Sequence, residues 1–395
     1  MRILMASHGY PPTVSGVTLV VQKLARAMVA RGHRVTVVTA SERGESYEAD
    51  DEGVRLVRVH SWDNPFWSEA PIPFVGQKDL DDIVEELQPE LLHIHDSALL
   101  ALQFLRLARR IEVPLVASCY YVPRFVTRYL GGEITEDVVE AATWAYSVWL
   151  LNHCDRVVFA TRAHRDFFRD QGLKAPTAII SNGLDVHRYH PADGADEGIE
   201  ARYDLPVGPR VLFVSRLARD KAIDVLIRAM SEVRARVPTA CLLLVGRGDY
   251  RPALEELTSE LGLEGAVRFF GFVPEADMPA LYRACDCFAI ASTYEVQSLP
   301  TLQALATGLP VVAADAVALP EIVKDGVNGY LVPPGDPQGL AEAIVRIVTD
   351  PERAAAMARE GLAIVQPHAE EHTFDLYEEL YRSLLHEASS PPAHP

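Results

Sequence analysis

Arg216 and Lys221 stand five residues apart, just after the apolar run Val211-Leu-Phe-Val214. Two cations at a strand end and the next helix start can neutralise a diphosphate that gains negative charge as it leaves. Taken alone, the pair reads as readily as two solvated surface cations. Glu295 lies in Ser292-Thr-Tyr-Glu-Val-Gln-Ser-Leu-Pro-Thr-Leu-Gln303, after an apolar strand pattern and before a helix. A carboxylate there can accept hydrogen bonds from sugar hydroxyls, while the N–H groups opening the helix, at Ser298 and Leu299, can face phosphate. Gln303, further along, points to a similar face. The turn Pro12-Thr-Val-Ser-Gly16 adds a glycine ahead of a helix, which lets backbone N–H groups approach a phosphate. The same glycine serves equally as turn chemistry. The turn is not GxGxxG, which disfavours a nicotinamide dehydrogenase.

The elements that must position these groups form two alternating runs. The first opens with a strand at Arg2–Ala6 and the loop Pro11–Gly16. A helix at Val17–Arg31 follows, with Val20, Val21, Leu24, Ala27 and Met28 at helical spacing, then a strand at Arg34–Thr39. Further strands are predicted near Val54–Val59, Leu91–His95, Leu115–Ser118, Arg156–Ala160 and Ala178–Ser181, with helices at Asp79–Gln88 and Thr135–Asn152. The hydrophilic stretch His190–Asp204, with Pro191 and Gly194, interrupts the alternation.

The second run has strands near Val211–Ser215, Cys241–Val245, Val267–Phe269, Cys287–Ile290, Pro310–Ala314 and Gly329–Val332. Its helices are Ala222–Arg236, Arg251–Leu261, Pro279–Ala284, Leu299–Ala306 and Pro337–Thr349, and a last helix spans Leu376–Glu387. A Ser-Ser-Pro-Pro tail from Ser389 reads as disordered. The expected fold class is α/β: two Rossmann-like doubly wound domains facing across a cleft, with ligands beyond the carboxyl ends of the strands. The expected division is 1–188 with the terminal helix 374–388, a linker at 189–205, and 206–370.

The length, 395 residues, suits two domains, and 49% hydrophobic residues can fill two cores. A formal charge of −18 argues against nucleic-acid binding by bulk charge. No apolar run reaches the roughly 20 residues of a membrane span. The N-terminus reads as a strand rather than a signal peptide. Cys119, Cys154, Cys241, Cys285 and Cys287 show no metal-ligand spacing and read as small buried thiols of a reducing cytosol. The expected location is cytoplasmic, with peripheral contact at the inner membrane face.

In motif order the chain resembles the GT-B glycosyltransferases, specifically glycosyltransferase family 4, the retaining enzymes. The matching pieces are the Pro11–Gly16 turn, His93-Ile-His95, Ser181-Asn-Gly-Leu-Asp185, Arg216 with Lys221, Val245-Gly246, Gly271-Phe-Val-Pro274, the Glu295 segment, Gly308-Leu-Pro-Val-Val312, Glu321 and Gly326-Val-Asn-Gly329. The resemblance implies a loop glycine near the donor phosphates at Gly16 and diphosphate cations at Arg216 and Lys221. It implies a sugar-binding carboxylate at Glu295, a base-side loop at Phe272 and Val273, and a loop near the cleft at Asn182 and Gly183. Gln303 holds the place of the family's second glutamate, which binds the ribose. The terminal helix is expected to cross back onto the N-terminal domain.

Four departures stand out. Gln303 loses a charge-assisted bond, roughly 1 kcal/mol. Pro300 removes one N–H from the helix start, and Ser215 replaces the common glycine before Arg216. Tyr120 stands where the family often has a histidine on the donor sugar, and a phenol with a reference pKa of about 10 is a poor base. Front-face retaining transfer, which the resemblance suggests, needs none, because the leaving phosphate takes the acceptor proton.

On the acceptor side the candidates are His8, His95, Tyr121 and Asn182, with the aromatic segments Trp62–Phe74 and Tyr120–Tyr129; His93 receives no role. Each histidine reads as well as a satisfied structural side chain, and the aromatic segments as loop packing. The N-terminal half is similar to the family's diacylglycerol glycosyltransferases, which makes a lipid hydroxyl the expected acceptor. The expected reaction is hexosyl transfer from a nucleotide-sugar, a UDP-sugar, with retention, no cofactor and no metal. Competing readings are a GT-B phosphorylase or nucleotide-sugar epimerase, and a nucleotide-sugar-binding protein without turnover. No pattern speaks to oligomeric state.

Overall fold

The computed structural model describes residues 1–13, 15–62, 72–95, 99–123, 133–191 and 198–389, with backbone alone at 133–136. The tail after Ser389 and most of the two aromatic segments lie outside the described residues. The chain divides into two compact units, Met1–Gly183 with Glu371–Pro395, and Leu184–Glu370.

The first unit is built on strands β1 (Arg2–Ser7), β2 (Arg34–Ala40), β3 (Tyr47–Asp51) and β4 (Val54–Val59). A two-stranded ribbon, β5 (Ser61–Trp62) with β6 (Ile72–Pro73), stands apart from the main sheet. The remaining strands are β7 (Leu91–Ile94), β8 (Leu115–Cys119), β9 (Arg156–Phe159) and β10 (Thr177–Ile179). The sheet order is β10-β9-β8-β7-β1-β2-β4-β3, parallel throughout except for antiparallel β3 on β4. Both faces are covered, so the strands are nearly continuously apolar. In β1, Leu4 and Ala6 face one core, while Ile3 and Met5 face another that also holds Phe374, Tyr377, Tyr381 and Leu384. The last helix, Glu370–Ser389, thereby belongs to the first unit and extends further than periodicity alone predicts.

The second unit has six parallel strands: β11 (Arg210–Val214), β12 (Cys241–Val245), β13 (Val267–Gly271), β14 (Cys287–Ile290), β15 (Val311–Ala314) and β16 (Gly329–Val332). Their order is β13-β12-β11-β14-β15-β16. Of residues 189–205, read above as a linker, Tyr189, Ile199 and Leu205 are buried; Tyr189 and Leu205 join this unit's core. The helix Ile199–Arg202 forms there too.

Each sheet has one place where the strand order reverses. It lies between β1 and β7 in the first unit and between β11 and β14 in the second. Loops leaving adjacent strands at such a point open a crevice for ligand.

Several elements were not anticipated above. The helices Leu99–Ile111, Arg162–Asp170 and Pro351–Val365 are present. The first buries Leu100, Ala101, Phe104, Leu105, Leu107 and Ala108, a legible helical pattern. Strand β3, Tyr-Glu-Ala-Asp-Asp, has poor strand propensity. Its pairing with β4 and the tight turn at Glu52 and Gly53, both with positive φ, impose it.

Candidate active site

In the second unit, Arg216 and Lys221 follow β11 and Glu295 follows β14, so they come from the two strands at the order reversal. The loop after β11 is held from behind by the loop after β12. Leu217 N–H donates to the Arg247 carbonyl at 2.8 Å, and Tyr250 N–H to the Leu217 carbonyl at 3.1 Å. The backbones approach so closely that a Cβ on Gly246 would lie 1.9 Å from the Ser215 oxygen. One on Gly248 would lie 2.1 Å from the Leu217 oxygen. Lys221 ends a single 3-10 turn, Arg219–Lys221, and Ala222 with φ 47° breaks the chain into the Ile223–Arg236 helix.

Lys221 Nζ lies 2.8 Å from Glu295 Oε1, with the two side chains 14% and 11% exposed. Burial lowers the ammonium pKa, but Glu295 and then Asp220 outweigh it, and the net shift is upward. Arg216 is far more open, at 48% exposure, and lies 3.6 Å from Asp220. The Ser292 hydroxyl donates to the Asp220 carbonyl, tying the two loops together.

The Leu299–Ala306 helix commits one of its first N–H groups to its own cap. Ser298 is the N-cap, and its hydroxyl accepts from Thr301 N–H at 3.3 Å. Pro300 has no N–H, so of the first three helical residues Leu299 is the one whose N–H has no partner among the described residues. Ser298 itself is buried, which makes its side chain a cap. Phe272 is 61% exposed, with the Arg247 guanidinium 5.4 Å from its ring centre, whereas Val273 is buried in the core. Gln303 is half-buried and accepts at Oε1 from the Tyr282 hydroxyl at 2.9 Å. Tyr282 and Arg247 were not foreseen; both lie outside the motifs that drew attention.

In the first unit, Gly16 follows β1 and His95 follows β7, again flanking the order reversal. Gly16 opens the Gly16–Ala30 helix behind the N-cap Ser15, whose hydroxyl accepts from Thr18 N–H at 3.2 Å. The Gly16 and Val17 N–H groups have no partner among the described residues. An added Cβ at Gly16 would meet no described atom within 4 Å, so packing does not demand this glycine. The turn before it is anchored by the buried Arg58 guanidinium, which donates to the Pro11 carbonyl. His8 is half-buried at the end of the same strand's exit.

His95 is buried, with Nδ1 3.1 Å from the Tyr120 hydroxyl, and its Nε2 has no partner among the described residues. Burial pushes its pKa down to about 3, so the ring is neutral. His93 packs against it with the rings tilted by 42° and their centres 3.8 Å apart. His93 Nδ1 lies 2.7 Å from the Tyr381 hydroxyl and Nε2 2.9 Å from the Ser118 hydroxyl, which in turn meets the Tyr377 hydroxyl at 2.9 Å. Tyr120 therefore spends its hydroxyl on a buried network reaching the last helix, and burial holds that phenol protonated. Tyr121 donates to Ser147 at 2.8 Å and turns its ring edge to Phe168, a packing role. Asn182 is half-buried beside Gly183, whose φ is 80°. All five cysteines are buried free thiols. Among the described residues no cluster of three metal-ligating side chains occurs, and no helix is long and apolar enough to cross a membrane.

Residues 14–188 match the family described as Glycosyltransferase Family 4, and residues 208–350 match the one described as Glycosyl transferases group 1. The chain is 31% identical over 371 residues to the GDP-mannose-dependent alpha-(1-6)-phosphatidylinositol monomannoside mannosyltransferase of Mycolicibacterium smegmatis, covering 91% of this chain and 92% of that protein. It is 25% identical over 394 residues to the alpha-monoglucosyldiacylglycerol synthase of Acholeplasma laidlawii, with 98% of each covered. Among solved structures, sucrose-phosphate synthase from Thermosynechococcus elongatus matches with TM-score 0.81 at 23% identity, over 98% of this chain and 99% of that one. Anabaena HepE in complex with UDP matches with TM-score 0.78 at 24% identity, over 97% and 100%. With two Rossmann-like units and full-length relatives that are named glycosyltransferases, the chain belongs to glycosyltransferase family 4 and is an enzyme of the GT-B fold.

Proposed function

We propose that the chain transfers a hexose from a nucleoside-diphosphate sugar, in the first instance a UDP-sugar, to a lipid hydroxyl with retention of configuration. The observation that carries this reading is the Lys221–Glu295 pair beside exposed Arg216, at the strand-order reversal of the second unit. In this reading the diphosphate takes Arg216, Lys221 and the Leu299 N–H, and the sugar hydroxyls take Glu295. Phe272 offers a stacking surface to the base, and Gln303 meets the ribose. The bond from C1 to the diphosphate oxygen breaks, and a bond from C1 to the acceptor oxygen forms on the same face. The acceptor proton passes to the departing diphosphate, so neither Tyr120 nor His95 is needed as a base. The two cations do the charge work that a divalent ion does elsewhere, without a cofactor.

The lipid acceptor is supported by the two full-length relatives, one named as a phosphatidylinositol monomannoside mannosyltransferase and the other as the synthase of a glucosyldiacylglycerol. A GDP-sugar is the second reading, because the relative at 31% identity is named for GDP-mannose. In this reading the enzyme works in the cytoplasm, at the inner membrane face.

The test is a thermal-shift panel of UDP, GDP and their glucose and mannose conjugates, followed by transfer assays with diacylglycerol, glucosyldiacylglycerol and phosphatidylinositol mannosides. Stabilisation by nucleotide sugars and labelled glycolipid is the expected result. Binding with no transfer to any acceptor supports a non-catalytic relative instead.

A further inference from the structure

Tyr282 decides which atom of Gln303 is left for a ligand. Its ring is fully buried, edge-on to Tyr189 at 5.9 Å and tilted against Phe288 at 6.1 Å. A buried phenol must donate its proton somewhere, and the acceptor here is Gln303 Oε1 at 2.9 Å. Burial also keeps the phenol protonated, its pKa well above the usual range. The amide of Gln303 is thereby oriented, with Oε1 inward and Nε2 on the side away from Tyr282. An amide N–H only donates. A carboxylate at this position would only accept, and would call on the O–H protons of a ribose diol.

We propose that Tyr282 and Gln303 make the nucleotide site tolerant of deoxyribose, so that 2′-deoxynucleoside diphosphate sugars serve as donors beside the ribonucleotide forms. This rests on the assignment of Gln303 to the ribose under the proposed function. A site rejects a substrate lacking a hydroxyl strongly when a buried polar group is then left unpaired. The buried acceptor here is already satisfied by Tyr282, and Nε2 is served by the 3′ oxygen that deoxyribose retains.

Isothermal titration of the full chain with UDP, dUDP, GDP and dGDP tests this. For the base that binds, the ribo and deoxy forms are expected to differ by no more than about threefold. Gln303→Glu restores a charged acceptor and is expected to raise the ribo-over-deoxy preference to about tenfold or more. Tyr282→Phe frees Oε1 to turn outward and shifts the preference in the same direction. A purely structural Tyr282 would weaken both forms equally, and that result overturns its role. Wild-type rejection of the deoxy form by about tenfold or more, or an unchanged ratio in Gln303→Glu, overturns the inference while leaving the donor site standing. Failure of all four nucleotides to bind overturns the donor-site reading itself and this inference with it.

Discussion

Lys221 and Glu295 face one another at 2.8 Å from loops that leave adjacent strands of the second sheet. Each is the other's counter-ion. A donor substrate must therefore exchange partners, the diphosphate taking the ammonium and the sugar hydroxyls the carboxylate.

Truncating the two cations is expected to separate stability from catalysis. Lys221→Ala leaves Glu295, 11% exposed, without its partner, which costs about 3 kcal/mol of stability. Arg216 is 48% exposed, so Arg216→Ala leaves Tm nearly unchanged. Both variants are expected to lose at least about tenfold in kcat/KM for the donor. Normal kinetics in both would remove the diphosphate assignment.

Glu295→Gln keeps the shape and removes the charge. Affinity for the nucleotide sugar is expected to fall by about tenfold, while affinity for the free nucleoside diphosphate holds or rises because Lys221 is released. Titrating both ligands against both proteins checks it. Equal losses would contradict a sugar-side role.

Two glycines are expected to respond in opposite ways. Gly16→Ala meets no described atom within 4 Å, so Tm holds or rises slightly, while KM for the donor increases. Gly246→Ala puts a Cβ 1.9 Å from the Ser215 oxygen, at a backbone with φ 138°. It is expected to destabilise the second unit by about 3 kcal/mol or more and to displace Arg216. Urea unfolding and donor kinetics on both variants make the comparison. Unchanged donor kinetics in Gly16→Ala would assign that glycine to turn formation.

His93, His95 and His164 are buried and neutral, with burial the first cause of each lowered pKa, to about 3 for His95 and about 4 for His164. In the unfolded chain they titrate near 6.5. Their contribution is complete above that pH and is lost as pH falls toward the folded values. Below pH 6.5 each is expected to steepen the loss of stability by up to about 1.4 kcal/mol per pH unit. Urea unfolding of the full chain between pH 7.5 and 5 reads the slope. His164→Phe is expected to flatten it, and an unchanged slope would sink the assignment.

The two alternating runs were legible because parallel strands buried on both faces are short apolar blocks, such as Cys241–Val245 and Cys287–Ile290, whose bounds are as predicted. Strand β3 was not legible, because its partner imposes what its acidic residues do not favour. At the site, Arg216, Lys221 and Glu295 could be named from residue type and position. Their ion pair could not, since it joins residues 74 apart in sequence. The cap formed by Ser298 was not legible either: its hydroxyl takes the Thr301 N–H, which removes one donor from the helix start. The Tyr120 hydroxyl is committed to a network with His95, a relation no spacing announces.

The Glu370–Ser389 helix packs Phe374, Tyr377 and Tyr381 into a core otherwise made by the first unit's opening helix and one face of its sheet, from Ile3 and Val35 to Leu91, Val116 and Val158. On the ribosome, the segment Leu184–Glu370 emerges whole and can close its core as it is made. The first half must wait with one flank bare until the final helix is synthesised. Premature stop codons inside that helix are therefore expected to yield a chaperone-dependent or proteolysed amino-terminal half beside an intact carboxyl-terminal one.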